Sequence, residues 1–192
     1  MKTQLPTSFT PGRVFRTRDL ASLSANPTRM AKRWVDEGLC TRLRPGLYAV
    51  AEMTRFGPAP PDRRGLLRAF LDGDDFVITG PPVWNSLGLG STQMFAHPLI
   101  YNRKRSGLFS LGGRTFDLRR VQFPDHPTLD WFGVDLLENL ASVCLDRSET
   151  AAILAARLAE GAFNPEALAG MAAEYGTKAT QALVRHAVEA SQ

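Results

Sequence analysis

The apolar positions between residues 26 and 38 predict an amphipathic helix. Asn26 is a strong N-cap, and Pro27 needs no amide donor at the first helical position. Gly38 is typical of the residue just past a helix C-terminus. The apolar residues share one face of this helix: Ala31, Trp34 and Val35. The opposite, polar face carries Arg29, Lys32, Arg33 and Asp36, and we expect it to face solvent.

Flanking segments predict a short helix before this one and a β-hairpin after it. Thr17 is the expected N-cap of a helix over residues 18–23. Residues 39–43 and 47–50 have the composition of strands, and the intervening Pro45-Gly46 is a turn signal. Helix, turn, helix and hairpin in this order predict a small winged helix-turn-helix.

Beyond residue 57 the pattern first alternates between helices and strands and then becomes helical. The proline-rich segment 56–62 is the best linker in the chain. Further helices are predicted at 63–71, 83–87, 134–145, 148–161, 165–175 and 177–190, and strands at 76–79, 95–101, 108–111 and 115–123. The predicted fold class is α+β, with a winged helix over 1–57 and a mixed α/β domain over 58–192 whose tail, from about residue 130, is helical.

Charge is distributed unevenly along the chain. Residues 1–60 carry a net charge of +6, residues 61–120 of +4, and residues 121–192 of −6. A basic N-terminal region favours a polyanionic partner, whereas the acidic tail would be repelled by one. The chain has no long apolar segment and no apolar signal core, so we expect no membrane span and a cytoplasmic protein.

The predicted winged helix carries the candidate DNA-binding residues. A helix of about three turns fits the major groove, and arginine can bind guanine O6 and N7 in a bidentate manner. The candidates on the second helix and the hairpin wing are Thr28, Arg29, Lys32, Arg33, Arg42 and Arg44. A second phosphate contact is predicted at Arg103, Lys104 and Arg105, with a solvated basic loop as the alternative.

Three sequence segments resemble the AbiEi-type antitoxins of type IV toxin–antitoxin systems. They are GRVFRTRDL at 12–20, RWVDEGLCTRLRPGLY at 33–48 and ITGPPVWNSLGL at 78–89, with a later GGR at 112–114. The resemblance covers residues 12–145 and, more loosely, the helical tail. The chain departs from the family at its start, because Pro6 and Pro11 would break the usual first helix.

The resemblance implies a winged helix that represses its own operon. It also implies a C-terminal domain that counters a nucleotidyltransferase-like toxin encoded nearby, in the setting of phage defence. That toxin would be a functional partner rather than necessarily a physical one. A homodimer would suit a palindromic operator. A stand-alone regulator without a toxin partner is the alternative, and a third possibility is an interaction protein or nuclease whose winged helix binds protein.

Residues with chemical potential do not form a catalytic, metal or cofactor site. His97, His126 and His186 lack ligand spacing, and the glycine-rich segment at 88–92 lacks the lysine of a phosphate-binding loop. Asp117 is not followed by the Glu-x-Lys pair expected of a nuclease. Cys40 and Cys144 are predicted to be free thiols that are buried or half-buried. We therefore expect a non-catalytic protein without a cofactor.

Overall fold

The computed structural model describes residues 4–192, which fold as an α+β protein, as the sequence predicts. Contacts divide the chain into two units. The first unit comprises residues up to Asp75 together with Leu108–Phe116, and the second comprises Phe76–Gly107 and Asp117–Gln192. The chain passes between the units three times, at 75–76, at 107–108 and, within the strand Arg114–Arg120, at 116–117.

A winged helix-turn-helix occupies the first part of the first unit. Strand β3 lies between β1 and β2 and pairs antiparallel with both. The turn of the β2–β3 hairpin contains Gly46 at a positive φ of 77°, which favours glycine. The elements are β1 (Val14–Arg16), a 3-10 turn (Thr17–Leu20), α1 (Pro27–Asp36), β2 (Cys40–Arg44) and β3 (Leu47–Val50).

The predicted second helix is confirmed by α1 and its caps. The side-chain oxygen of Asn26 accepts a hydrogen bond of 3.0 Å from the amide of Arg29, and Pro27 occupies the first turn. Gly38 follows the helix with a positive φ of 72°. The helix therefore begins and ends where its capping residues dictate.

The predicted helix over 18–23 is wrong in length and in its cap. The structure has a single 3-10 turn, Thr17–Leu20, whose N-cap is Arg16 rather than Thr17. The Asp19 carboxylate accepts a hydrogen bond of 2.8 Å from the Arg16 amide. This acidic residue satisfies an otherwise free donor and so sets the start of the turn.

Aromatic rings form the core of the winged helix. Phe15 is fully buried and Trp34 is 1% exposed, which confirms the predicted core position of Trp34. Phe9 packs edge-on against both, with ring centroids at 5.0 and 5.2 Å. Residues 4–13 contain turns but no helix. Phe9 thus packs against Trp34 from a non-helical segment, where the first helix of the usual fold would otherwise pack.

The first unit also contains a second small hairpin, a helix and the start of another hairpin. These elements are β4 (Met53–Thr54), β5 (Gly57–Pro58), α2 (Arg63–Leu71) and, from Leu108 onward, β8 (Gly107–Leu111) with the first residues of β9 (Arg114–Arg120). The Arg16 guanidinium donates to the carbonyl oxygens of Ala69 and Phe70 near the end of α2. Strand β1 and helix α2 thus lie in the same contact unit, which extends to Asp75.

The second unit combines strands with a helical C-terminal part. Strand β7 pairs antiparallel with β6 and parallel with the end of β9, where Leu99 lies opposite Asp117. The strands are β6 (Phe76–Thr79), β7 (Leu99–Asn102) and the end of β9. The helices are α3 (Pro81–Trp84), α4 (Leu129–Glu138), α5 (Arg147–Ala159), α6 (Pro165–Tyr175) and α7 (Lys178–Ala190), with 3-10 turns at Asn85–Leu87 and Leu140–Val143.

The predicted helix over 134–145 begins too late. Helix α4 begins after Thr128, whose hydroxyl accepts a hydrogen bond of 3.3 Å from the amide of Trp131. It ends at Glu138, and a separate 3-10 turn follows before Cys144, which has a positive φ of 53°. The N-cap threonine therefore decides the start of this helix, and the apolar spacing alone does not.

A buried carboxylate lies in the core of the second unit. Asp135 Oδ2 accepts hydrogen bonds from Thr79 Oγ1 at 2.5 Å and from Trp84 Nε1 at 2.8 Å. Asn139 Nδ2 lies 3.3 Å from its other oxygen, Oδ1. Burial raises the pKa of Asp135, while the donors Thr79, Trp84 and Tyr101 lower it. The side chain thereby connects α4 to β6 and α3.

The two cysteines are free thiols in different environments. Cys40 is buried, and burial raises the pKa of its thiol to about 11. Cys144 is exposed, so the prediction that both thiols are at least half-buried is wrong for Cys144, which directly follows the 3-10 turn Leu140–Val143. In residues 4–192 no helix has the length and apolar character needed to span a membrane.

Candidate nucleic-acid interface

Helix α1 presents a polar face to solvent and an apolar face to the core. Ala31 and Trp34 are buried. The predicted contact residues Thr28, Arg29, Lys32 and Arg33 are all exposed. The arrangement satisfies the geometric requirement for a recognition helix, because its aromatic underside fixes the helix while its cationic side stays accessible.

The charges on this face differ between the two halves of α1. Lys32 Nζ lies 3.2 Å from Asp36 Oδ2, and Arg33 Nε lies 2.8 Å from Glu37 Oε1. Within the described part of the chain, Arg29 makes no ion pair. The N-terminal turn therefore carries an uncompensated positive charge, whereas the following turns carry exposed i,i+4 pairs of small energetic value.

The wing brings one predicted arginine to the surface and packs the other. Arg42 is exposed on β2, in register with Tyr48 on β3. Arg44 is half-buried, and its guanidinium carbon lies 4.9 Å from the ring centroid of Phe70 and 5.9 Å from that of Phe109. The sequence did not predict this stacking, since Phe70 and Phe109 are distant along the chain. Arg44 therefore has a packing contact in addition to its predicted role.

The predicted second basic site is a loop organised by a buried asparagine. Asn102 Oδ1 accepts hydrogen bonds from the amides of Lys104 and Arg105 at 2.9 and 2.8 Å. Arg103 donates to the carbonyl oxygen of Phe123 and lies 3.0 Å from Asp125. All three basic residues are exposed. The three basic residues thus lie on a defined turn of the second unit.

The sequence analysis missed the hairpin formed by β4 and β5. Arg55 lies at its tip, with its guanidinium carbon 4.5 Å from the ring centroid of the exposed Phe56. The signal that would have located this turn is Gly57, which has a positive φ of 108°. The proline content of segment 56–62 predicts a linker there instead.

Asp117, the aspartate considered for a nuclease site, is engaged with an arginine, as are two aspartates that follow α2. Asp72 pairs with Arg18, Asp74 lies 2.6 Å from Arg68, and Asp117 lies 3.2 Å from Arg119. Among residues 4–192, no group of three or more His, Cys, Asp or Glu side chains could hold a metal ion.

The winged helix matches a known family. Residues 11–51 match the family model described as "Transcriptional regulator, AbiEi antitoxin". This confirms the resemblance predicted from the sequence over the winged helix. The AbiEi match begins just before β1 and ends just after β3, so it contains all of the predicted contact residues on α1 and the wing.

Beyond the AbiEi match, the chain is also similar to a solved structure. The chain is 14% identical to the RV2827C protein from Mycobacterium tuberculosis, with a TM-score of 0.46. The similarity covers 93% of this chain and 72% of that chain. No curated protein sequence matches the chain.

Proposed function

We propose that the protein is a sequence-specific DNA-binding transcriptional repressor of its own operon, with the role of an antitoxin. The observation that carries this proposal is the exposed cationic face of α1, which lies within the segment matched by the AbiEi regulator family. Regulators of this kind insert a helix into the major groove and contact the flanking backbone with the wing.

The proposed contacts follow from the exposure and pairing of the side chains. Arg29 lies in the first turn of α1 and is the strongest candidate for a bidentate contact with guanine. Thr28 lies beside it at the helix N-terminus, where base edges or phosphate can be reached. Lys32 and Arg33 exchange their acidic partners for phosphates, and Arg42 contacts the backbone from the wing. Arg44 remains a proposed contact, made through the part of its guanidinium that is not stacked.

The second unit is proposed to supply the antitoxin activity. It holds most of the acidic residues of the chain, since residues 121–192 have a net charge of −6. Negative charge repels DNA, so we expect this part of the second unit to bind a different partner. The expected partner is a nucleotidyltransferase-like toxin encoded nearby, countered with or without a physical complex. Arg103, Lys104 and Arg105 remain a proposed phosphate contact of the second unit itself.

Gel-shift titration on the promoter region of its own gene tests the regulator assignment. The full chain should shift this duplex at a concentration far below that needed for a scrambled duplex of the same length and composition. Replacing both Arg29 and Lys32 by alanine should weaken specific binding by roughly 100-fold or more, since one good bidentate contact alone is worth about 1–3 kcal/mol.

A matched control separates a local effect from a general loss of charge. Arg185→Ala and Lys178→Ala remove two exposed cations from α7 in the second unit and should leave the gel shift unchanged. Equal losses in the two double variants would contradict the assignment to α1. Equal affinity of the full chain for the scrambled duplex and the promoter duplex would contradict specific repression.

A stand-alone regulator is the second candidate, and one feature of the structure favours it. The family match ends at residue 51, and the second unit contains a cavity of about 250 Å³. Tyr101, Trp131 and Asn139 are among the residues that line it. In that case the second unit would bind a small-molecule effector in this cavity instead of countering a toxin. Co-expression with the neighbouring gene decides between them, because only an antitoxin should relieve growth arrest caused by that gene.

A further inference from the structure

The hairpin of β4 and β5 exposes apolar side chains on a well-defined turn. Phe56 is 85% exposed and Met53 is 72% exposed. The turn is closed by the Thr54 hydroxyl, which donates to the carbonyl oxygen of Gly57 at 2.8 Å and accepts from the amide of Phe56 at 3.2 Å. Large apolar side chains that are exposed on an ordered turn are typical of a binding surface.

The base of this hairpin is attached beside the C-terminal end of α1. The amide of Ala51 donates a hydrogen bond of 2.9 Å to the carbonyl oxygen of Leu39, and Leu39 comes directly after the helix-ending Gly38. The amide of Ala59 donates to the carbonyl oxygen of Glu52 at 2.7 Å and closes the base. The hairpin thus projects from the same unit as the recognition helix, at the opposite end of the helix from Arg29.

We propose that the Met53–Pro58 hairpin is a second DNA-contacting wing, whose Arg55–Phe56 tip enters the minor groove beside the major-groove site of α1. This inference rests on the proposed DNA-binding function and extends it. An α-helix of ten residues is about 15 Å long, which is comparable to the width of the major groove. An element attached at the end of such a helix meets the adjacent backbone and the minor groove beyond it.

The chemistry of the tip fits the minor groove. Arginine is drawn into narrow minor grooves by their negative potential. Minor-groove proteins also insert apolar wedges, phenylalanine and methionine among them, between base steps. Arg55 lies over the ring of Phe56 with 4.5 Å between guanidinium carbon and ring centroid. The cation and the wedge are therefore presented together at one tip. DNA is favoured over a protein as the partner because the hairpin is hydrogen-bonded to Leu39, just beyond the helix that carries the cationic face.

Methylation protection on the promoter duplex separates the two contacts. Dimethyl sulfate modifies guanine N7 in the major groove and adenine N3 in the minor groove. The full chain should protect guanines at the α1 site and adenines next to them. Arg55→Ala and Phe56→Ala should each abolish the adenine protection, keep the guanine protection, and weaken binding by about five- to tenfold, less than a base-reading arginine on α1.

A control and three further outcomes complete the test. Met94→Ala truncates another exposed methionine, 88% exposed and in the second unit, and should leave both protections intact. Guanine protection without adenine protection in the unmodified chain would overturn the second wing and keep the proposed function. Absence of both protections would overturn the proposed function and the wing with it. A Phe56→Ala chain that dissociates from a dimer in sedimentation but retains the adenine protection would overturn the wing, because the hairpin would then be a protein contact.

Discussion

The two units use charged side chains in opposite ways. In the first unit the core is a cluster of aromatic rings around Phe15 and Trp34, and the cations of α1 stand outside it. In the second unit an ionisable group, Asp135, lies inside the core and connects α4 to β6 and α3. The exposed charges of the first unit cost little to keep and are available for a partner. The buried charge of the second unit costs free energy, and its donors offset that cost.

Truncation of the aromatic anchor should have the largest effect. Trp34→Ala removes a side chain that is 1% exposed and packs against Phe9 and Phe15. We expect a loss of about 3–5 kcal/mol in the free energy of unfolding, since the remaining rings cannot close the cavity. Urea denaturation followed by circular dichroism measures it. A loss under 1 kcal/mol would mean that Trp34 does not anchor α1.

Removal of the buried carboxylate of Asp135 should have the second-largest effect on stability. Asp135→Ala leaves the Trp84 indole N–H and the Thr79 hydroxyl without their acceptor. Each unsatisfied buried group costs about 1–3 kcal/mol, so we expect a loss of about 2–4 kcal/mol. Urea denaturation followed by circular dichroism measures this loss. Unchanged stability would show that water replaces the carboxylate and that the network is not structural.

The pH dependence of stability tests whether the buried Asp135, unlike the exposed charges of the first unit, has a shifted pKa. The folded-state pKa of Asp135 is raised above the ordinary value of 3.8 mainly by burial. A raised pKa means that the folded state holds the proton more tightly than the unfolded state. The contribution of the protonated Asp135 side chain to the free energy of unfolding is present below about pH 4. It is lost as the pH rises through the folded-state pKa. The free energy of unfolding of the natural chain, measured relative to Asp135→Asn, should therefore fall with rising pH. A rise would contradict the stated direction.

The smallest effect is expected from an acidic residue on α1. Asp36→Ala removes the partner of Lys32, 3.2 Å away. The helix should lose only a few tenths of a kcal/mol, the usual value of an exposed i,i+4 pair. Affinity for promoter DNA should rise about two- to fourfold, because Lys32 is released and a negative charge is removed. Fluorescence anisotropy at low salt measures this gain, and weaker binding would mean that Asp36 itself contacts the DNA.

Local signals made much of the first unit predictable from sequence. Asn26, Pro27 and Gly38 specify α1 through capping and backbone preference, and these effects act within a few residues. The stacking of Arg44 on Phe70 depends on residues far apart in the chain, and no local pattern encodes it. The same is true of Arg16, whose bonds to the end of α2 place that helix in the first unit.

In the second unit, periodicity located the helices better than their starting points. The Asn164 cap and Pro165 predicted α6 from a local signal, and the structure confirms it. The start of α4 was missed because Thr128 follows a proline-rich segment and the apolar spacing is clearest only later. The buried position of Asp135 was not predicted at all. A carboxylate within an apolar helix is usually expected on the exposed face, and only the distant donors Thr79 and Trp84 make its burial possible.

The salt dependence of DNA binding tests the central claim most directly. The association constant of the full chain for promoter DNA should be measured by anisotropy over a range of salt concentrations, beside the variant with Arg29 and Lys32 replaced by alanine. Each cation that contacts a phosphate contributes about 0.9 to the slope of log K against log[salt]. If Arg29 also reads a base, its contribution falls below that value. We predict that the slope becomes shallower by about one to two and that specific binding weakens by roughly 100-fold or more. An identical slope in the two proteins would contradict the placement of α1 against DNA.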